Sequence, residues 1–321
     1  MSAAGPEHDL EQYRVELTGY CYRMLASPFD AEDAVQETFV NALRSIDRFD
    51  PARGDVRPWL YRIATNICID TARGRQRRAR AMDLAAPSRP GPDVGAPLPE
   101  YAWVLPIPDH RAVPSGDPAD VALLRSSIRL AFVAALQRLP ARQRAVLIFR
   151  DVLCWKADEV AHLLDTTTAS VTSALQRARS TLASEPLGDA QPMDSTQQEL
   201  LTRYCAAFER YDVEALVALL HEDATTSMPP YLWWLRGRAD IRSSLLAGGD
   251  FCAGARLVPT IANGAPAFGQ YLPTGPDGSL RPFALVVFTI VDATITETTT
   301  YLDPDRLFAL FDLPPVLVTT D

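Results

Sequence analysis

Nine prolines fall between Pro87 and Pro118 of this 321-residue chain: Pro87, Pro90, Pro92, Pro97, Pro99, Pro106, Pro108, Pro114 and Pro118. Proline fixes φ and has no N–H to donate, so neither a helix nor a central strand can run through such a stretch. The segment must be an extended linker, and the chain must fold as separate bodies on either side of it. A second break, SEPLGDAQPMDS (184–195), is rich in turn and helix-breaking residues. The expected organisation is a helical domain over 8–82, an acidic linker over 83–118, a second helical domain over 119–183 and a third domain over 195–316. Inside the linker, YAWVLPIPD (101–109) is unusually apolar. Exposed Trp103, Leu105 and Pro106 would leave apolar surface in water, so the segment is expected to dock on a neighbouring domain.

The chain is acidic, at net −9, but the charge is uneven. Residues 44–80 carry net +6 and residues 119–183 net +4, whereas 81–118 carry −3 and 184–321 carry −10. Two basic islands separated by an acidic linker suit two contacts with a polyanion. The acidic tail repels one, so it has a different task. No apolar run is long enough to span a bilayer, and the polar start MSAAGPEHDLEQY predicts no signal peptide. The five cysteines are scattered and form no metal-binding spacing, so free buried thiols in a reducing cytoplasm are expected, with no cofactor and no metal.

In the first domain, DAEDAVQETFVNALRSI places Ala31, Ala34, Val35, Phe39, Ala42 and Ile46 on one helical face, with Asp30 as N-cap. Asp33, Gln36, Glu37 and Val40 fall opposite, either as a solvated face or, with Val40 among them, as a protein contact. A second helix starts near Arg57. Its stripe of Trp59, Arg62, Asn66 and Arg73 leads into Arg75, Arg77, Arg78 and Arg80. This is a solvated basic helix end, or a surface for phosphates and unstacked bases.

In the second domain, LPARQRAVLIFRDVL (139–153) reads as an amphipathic helix. A short helix over 157–164 follows, then DTTT, then a helix from about Ala169. Val171, Ala174, Leu175, Ala178 and Leu182 form the inner face. Ala169, Ser170, Thr172, Ser173, Gln176, Arg177 and Arg179 lie outside. The pattern fits a helix-turn-helix whose second helix enters the major groove, small hydroxyl residues first and arginines behind. A plain helical hairpin is the alternative. Asp165 stands where such turns usually carry glycine.

Taken together and in order, DAEDAVQETFVNAL, WLYRIATNICIDTARGRQRR and the LPARQRAVLIFRDVL to SALQRAR segment resemble a sigma-70 family factor of the extracytoplasmic-function group. The resemblance covers residues 10–183. It implies that Asp33, Gln36, Glu37 and Val40 bind the β′ clamp of core RNA polymerase. It implies that the stretch carrying Trp59, Arg62, Asn66, Arg73, Arg77 and Arg78 reads and melts the minus-ten element as single-stranded DNA. The helix from Ala169 to Arg179 would read the double-stranded minus-35 element. The acidic linker would run through the polymerase channel that RNA later occupies.

The tail reads as helix, short helix and strand over 199–230, a strand end and helix over WLRGRADIRSSLLAGG, then β-branched alternating runs that predict strands. FERYDVEALVALLHEDAT followed by RGRADIRSSL resembles the SnoaL-like cone, an α+β fold, over about 196–313. The expected fold class is therefore two all-α sigma domains followed by an α+β cone. In relatives of this architecture the tail regulates the sigma domains. WVLP (103–106) and DPDRL, with Asp303, Pro304, Asp305, Arg306 and Leu307, match segments expected to dock. The net charge of the tail predicts attraction to the basic islands in the free protein.

Two other readings stay open. One is a ligand-responsive regulator that uses only the helix-turn-helix. The other is a SnoaL-like enzyme, with Asp223, Met228, Tyr231, Trp233 and Trp234 at a pocket that takes an unidentified small ligand. An isomerase of this fold needs a pocket carboxylate. His221, Glu222 and Asp223 are candidates, but they fall where a helix ends and a strand begins, a solvated position, so no catalysis is expected.

Overall fold

A computed structural model describes residues 10–46, 49, 55–74, 77–183, 193–249, 251–275 and 278–318. It divides into two compact units: Met1–Arg78 with Val104–Ala190, and Ala79–Trp103 with Gln191–Asp321. The linker expected over 83–118 is thus shared: its first part belongs with the tail and its second part with the helices. Residues 184–192 of the second break (184–195), and Arg75, lie outside the described residues. No described helix is long and apolar enough to cross a membrane.

The helical unit begins with α1 (Arg14–Leu25), α2 (Pro28–Arg44) and α3 (Val56–Ala72). Ala26 takes a left-handed φ of 58° and ends α1. The N-cap of α2 is Ser27, whose Oγ accepts from the Asp30 N–H at 3.2 Å, rather than Asp30 itself. Pro28 explains the earlier start: it needs no N–H in the first turn. Ala31, Ala34, Val35, Phe39 and Ala42 are buried, as their spacing predicts. Asp55 caps α3.

After the linker come α4 (Pro118–Ile128), α5 (Leu130–Leu136) and α6 (Ala141–Leu147). The single helix expected over 139–153 gives way to a π-helical turn at Ile148–Val152. Cys154 follows at φ 56° and is exposed, unlike the buried thiols expected; a chain turning sharply into Trp155 holds it in the open. The helix-turn-helix is α7 (Ala157–Leu163) and α8 (Thr168–Thr181). Thr167 caps α8, accepting from the Ser170 N–H at 3.2 Å. Val171, Leu175, Ala178 and Leu182 turn inward.

One apolar cluster runs through all of these helices. At its centre Tyr20, Tyr61, Phe149 and Trp155 pack edge to face or tilted, with ring centroids 5.0–5.7 Å apart. The linker closes against α1: the Leu105 N–H donates to Ala26 O at 3.0 Å, and Tyr22 Oη donates to Leu105 O at 2.7 Å.

The second unit has α9 (Ser195–Glu209), α10 (Val213–Ala218) and α11 (Arg238–Ala247) against a six-stranded sheet, with α12 (Pro304–Leu310) near its end. The strands are β1 (Leu220–Ser227), β2 (Trp234–Arg236), β3 (Arg256–Ala262), β4 (Ala265–Leu272), β5 (Arg281–Val291) and β6 (Thr294–Tyr301). Their order is β2-β1-β6-β5-β4-β3. β1 and β6 are parallel and the other neighbours antiparallel. One face carries Leu235, Phe268, Val286 and Phe288 into a core beneath α9 and α11. This is the α+β order expected of the tail.

Candidate nucleic-acid interface

α2 and α3 are amphipathic, and their outer faces carry the first two sets of candidate residues. On α2, Asp33, Gln36, Glu37 and Val40 are all exposed and recur at helical spacing. Val40 is 44% exposed within an otherwise polar surface.

On α3, Asn66 and Arg73 are exposed and Trp59 is half-buried, with Phe49 stacked on its ring at 5.0 Å. Arg73 pairs with Asp70 at 3.1 Å. Arg62 is only partly exposed, and its Nη2 donates to Asp165 Oδ2 in the helix-turn-helix. Arg77 is exposed. Arg78 is not: it is buried, and its Nη2 donates to Asp30 Oδ2 at 2.8 Å. Its place in the basic stripe has to be corrected, because the Asp30 carboxylate draws it inward.

On α8, Ala169, Ser170, Thr172, Ser173, Gln176, Arg177 and Arg179 are all exposed along one face. Ser170 and Thr172 keep local partners: Thr167 Oγ1 lies 3.0 Å from Ser170 Oγ, and Thr172 Oγ1 donates to Thr168 O at 3.0 Å. Arg179 donates twice to Asp151, at 2.6 and 2.9 Å. Arg177 is exposed on the C-terminal half of the face. The arrangement is a polar ridge with a small N-terminal half, which lets a helix approach base edges closely.

Two arginines hold the helical unit together. Arg144 donates to Met24 O, to Leu139 O at 3.1 Å and to Gln137 Oε1 at 2.5 Å. Gln137 Nε2 donates to Arg23 O at 3.3 Å. Carbonyls of the last turn of α1, without helical partners of their own, are therefore capped by side chains more than a hundred residues away. Arg23 in turn donates to Ser127 Oγ at 2.7 Å and Leu124 O at 3.0 Å. Burial pushes both guanidinium groups down to about 10; they remain charged and are solvated by neutral oxygens. Neither arginine was identified from sequence, where each is one basic residue on an apolar helix face.

In the second unit, the first part of the linker runs along the edge strand. The Ser88 N–H donates to Trp234 O at 2.7 Å, and the indole of Trp234 donates to Ala85 O at 3.0 Å. Further along, the Leu98 N–H donates to Pro230 O at 2.8 Å. Glu100 pairs with Arg306. Trp103 is 1% exposed. Of the remaining docking candidates, Asp303 sits at the N-cap of α12 and pairs with Arg306 at 3.7 Å, Pro304 opens the helix, Asp305 is exposed and Leu307 is fully buried. Leu105 and Pro106 are buried in the helical unit instead. Asp223 is exposed, 3.7 Å from Arg236, so no pocket encloses it as a base.

Glu297 on β6 lies near Arg80 and Asp83 of the linker and accepts from Thr299 Oγ1 at 3.5 Å. Burial raises its carboxyl above the ordinary glutamate value, and Arg80 only partly offsets this. The folded unit therefore holds this proton more tightly than the unfolded chain. Stability is complete below the ordinary glutamate value and is lost as pH rises through the raised one. Glu297→Gln is expected to raise the melting temperature of the unit at pH 7–8. The gain should shrink as pH falls toward about 4.3. Melts of both proteins across that range check it; an unchanged melting temperature at pH 8 would contradict it.

Comparison with known proteins identifies the family. Residues 10–78 match Sigma-70 region 2 and residues 129–182 match Sigma-70 region 4. The chain is 42% identical over 317 residues to the ECF RNA polymerase sigma factor SigG of Mycobacterium tuberculosis, covering 96% of this chain and 83% of that protein. It is 27% identical over 217 residues to SigJ of the same organism, covering 68% of this chain and 62% of SigJ. The crystal structure of SigJ superposes with a TM-score of 0.59 at 22% identity, covering 96% of this chain and 99% of that one. That likeness is one of fold, helical sigma domains followed by a SnoaL-like cone. At the identity and coverage shared with SigG, the chain belongs to the extracytoplasmic-function sigma factors, the non-enzymatic proteins that bind RNA polymerase and promoter DNA to direct transcription initiation.

Proposed function

We propose that the three exposed faces divide the work of initiation. Asp33, Gln36, Glu37 and Val40 on α2 take the β′ clamp, with Val40 as the apolar centre of a polar patch. Trp59, Arg62, Asn66, Arg73 and Arg77 take the melted minus-ten strand, where an indole stacks on bases and arginines hold phosphates. The outer face of α8 reads the minus-35 duplex, while Arg179 is braced by Asp151. The protein acts in the cytoplasm. The cone, holding the first part of the linker, modulates how readily the linker is delivered to polymerase.

The observation that carries this reading is the uninterrupted exposed face of α8, from Ala169 to Arg179. Arg177→Ala tests it in reconstituted holoenzyme on a promoter fragment at fixed salt. If Arg177 reads a guanine, affinity falls by about 1–3 kcal/mol and discrimination is lost at one base pair. If it holds a phosphate, all sequences weaken alike and the salt slope falls by about one. Equal affinity of mutant and wild type would contradict the assignment.

A further inference from the structure

The turn of the helix-turn-helix holds a residue that its geometry disfavours. Asp165 adopts φ 48°, the left-handed region where glycine is unstrained and an L side chain is not. The backbone around it is tightly closed, with the Thr166 N–H donating to Ala161 O at 2.9 Å. What the aspartate supplies is a carboxylate, and that carboxylate accepts from Arg62 on α3.

The consequence follows from the length of a promoter. The minus-ten and minus-35 elements are about 25 base pairs apart, or about 85 Å at about 3.4 Å per step. Helix α8 has 14 residues and spans about 21 Å. With Arg62 in an ion pair three residues before α8 begins, the two reading surfaces lie far closer together than the two elements. They cannot both engage one promoter in this arrangement, and Arg62 must leave Asp165 before it can take a phosphate. Tyr61, the neighbour of Arg62, packs on Trp155, and Arg57 lies over both rings at 5.3 and 5.5 Å. Region 4 therefore covers this side of α3.

We propose that Asp165 is an autoinhibitory latch: it occupies a promoter-reading arginine of region 2 with the turn of region 4 and biases the free chain toward a closed state. The latch rests on the sigma-factor assignment for its meaning but not for its existence. Both side chains are substantially exposed, at 43% and 71%. The pair is therefore weak, salt-sensitive and easily exchanged for DNA phosphate, as a release mechanism needs.

The test uses the full-length free chain, without polymerase or DNA. Dyes are placed on cysteines at exposed Arg44 and Ser180, with exposed Cys154 changed to serine. Single-molecule energy transfer then reports the ratio of open to closed molecules. Asp165→Asn, which keeps the shape and tolerates a left-handed backbone, is expected to raise that ratio about two- to fivefold. Asp165→Gly should do the same while relieving the strain. Raising salt to about 1 M should bring the wild-type ratio to that of the variants and leave both variants nearly unchanged. The swap R62D/D165R should restore the closed population. Wild-type ratios and wild-type salt response in Asp165→Asn and Asp165→Gly would overturn the latch, whatever the chain does with polymerase. A latch that responds as described in a chain unable to direct transcription would instead count against the assignment of function.

Discussion

Trp103→Ala is expected to destabilise the second unit by about 3–5 kcal/mol, the range for deleting a fully buried tryptophan. Trp103 is the largest fully buried side chain among the described residues, at 1% exposed. Its backbone is also tied down. Trp103 bridges Ala79 in parallel, the Ala79 N–H donates to Ala102 O at 2.8 Å, and the Trp103 N–H donates to Glu100 O at 3.0 Å. Glu100 in turn pairs with Arg306 in the segment expected to dock. That surface pair adds at most about 1 kcal/mol, so the indole dominates. Removing it should free the linker between Ala79 and Trp103. Limited proteolysis should then cut within 85–103 under conditions that leave the wild type intact, and thermal melting should begin earlier. If the linker stays protected and the melt is unchanged, Trp103 does not anchor it.

A second large effect is expected at Gly19 in α1. A Cβ there would lie 2.1 Å from the carbonyl oxygen of Ala112 and 2.9 Å from an Arg23 nitrogen. The first contact is with backbone, so it is relieved only by moving the helical turn Asp109–Ala112 off α1. Alanine in place of glycine within a helix gains about 1 kcal/mol in propensity. Overpacking costs about 1–3 kcal/mol and wins where the obstacle cannot rotate away. Valine forfeits most of the propensity gain and should cost about 3 kcal/mol. Gly19→Val should lower the melting temperature of the helical unit and expose 104–113 to protease; a neutral result would mean the linker is not seated on α1.

Periodicity made the helix faces legible. Ala31, Ala34, Val35, Phe39 and Ala42 face inward because a helix returns to one side every third or fourth residue. The same rule separated Val171, Leu175 and Ala178 from the exposed face of α8. Pairings between distant segments were not legible. Arg77 and Arg78 are identical neighbours in sequence, yet one is exposed and the other buried, where Arg78 meets Asp30 of α2 at 2.8 Å. Asp165 has no visible role in the sequence of the turn, and Arg62 on α3 supplies one. Proline spacing predicted an extended 84–118, which helical turns at Glu100–Ala102 and Asp109–Ala112 interrupt, and it carried no information on which body each half would join. The edge strand β2 settles that for the first half, by offering unpaired backbone groups to Ser88.

The central claim is that this chain directs polymerase to promoters through these helical faces. The most direct measurement is transcription by core RNA polymerase on a promoter library, with and without the full-length chain, and with the chain carrying Arg177→Ala. The account predicts transcripts from discrete start sites only when the chain is present, preceded by two common sequence elements about 25 base pairs apart, with reduced output from the variant. No chain-dependent start site in the library, or start sites that the Arg177→Ala protein uses as efficiently as the wild type, would contradict it.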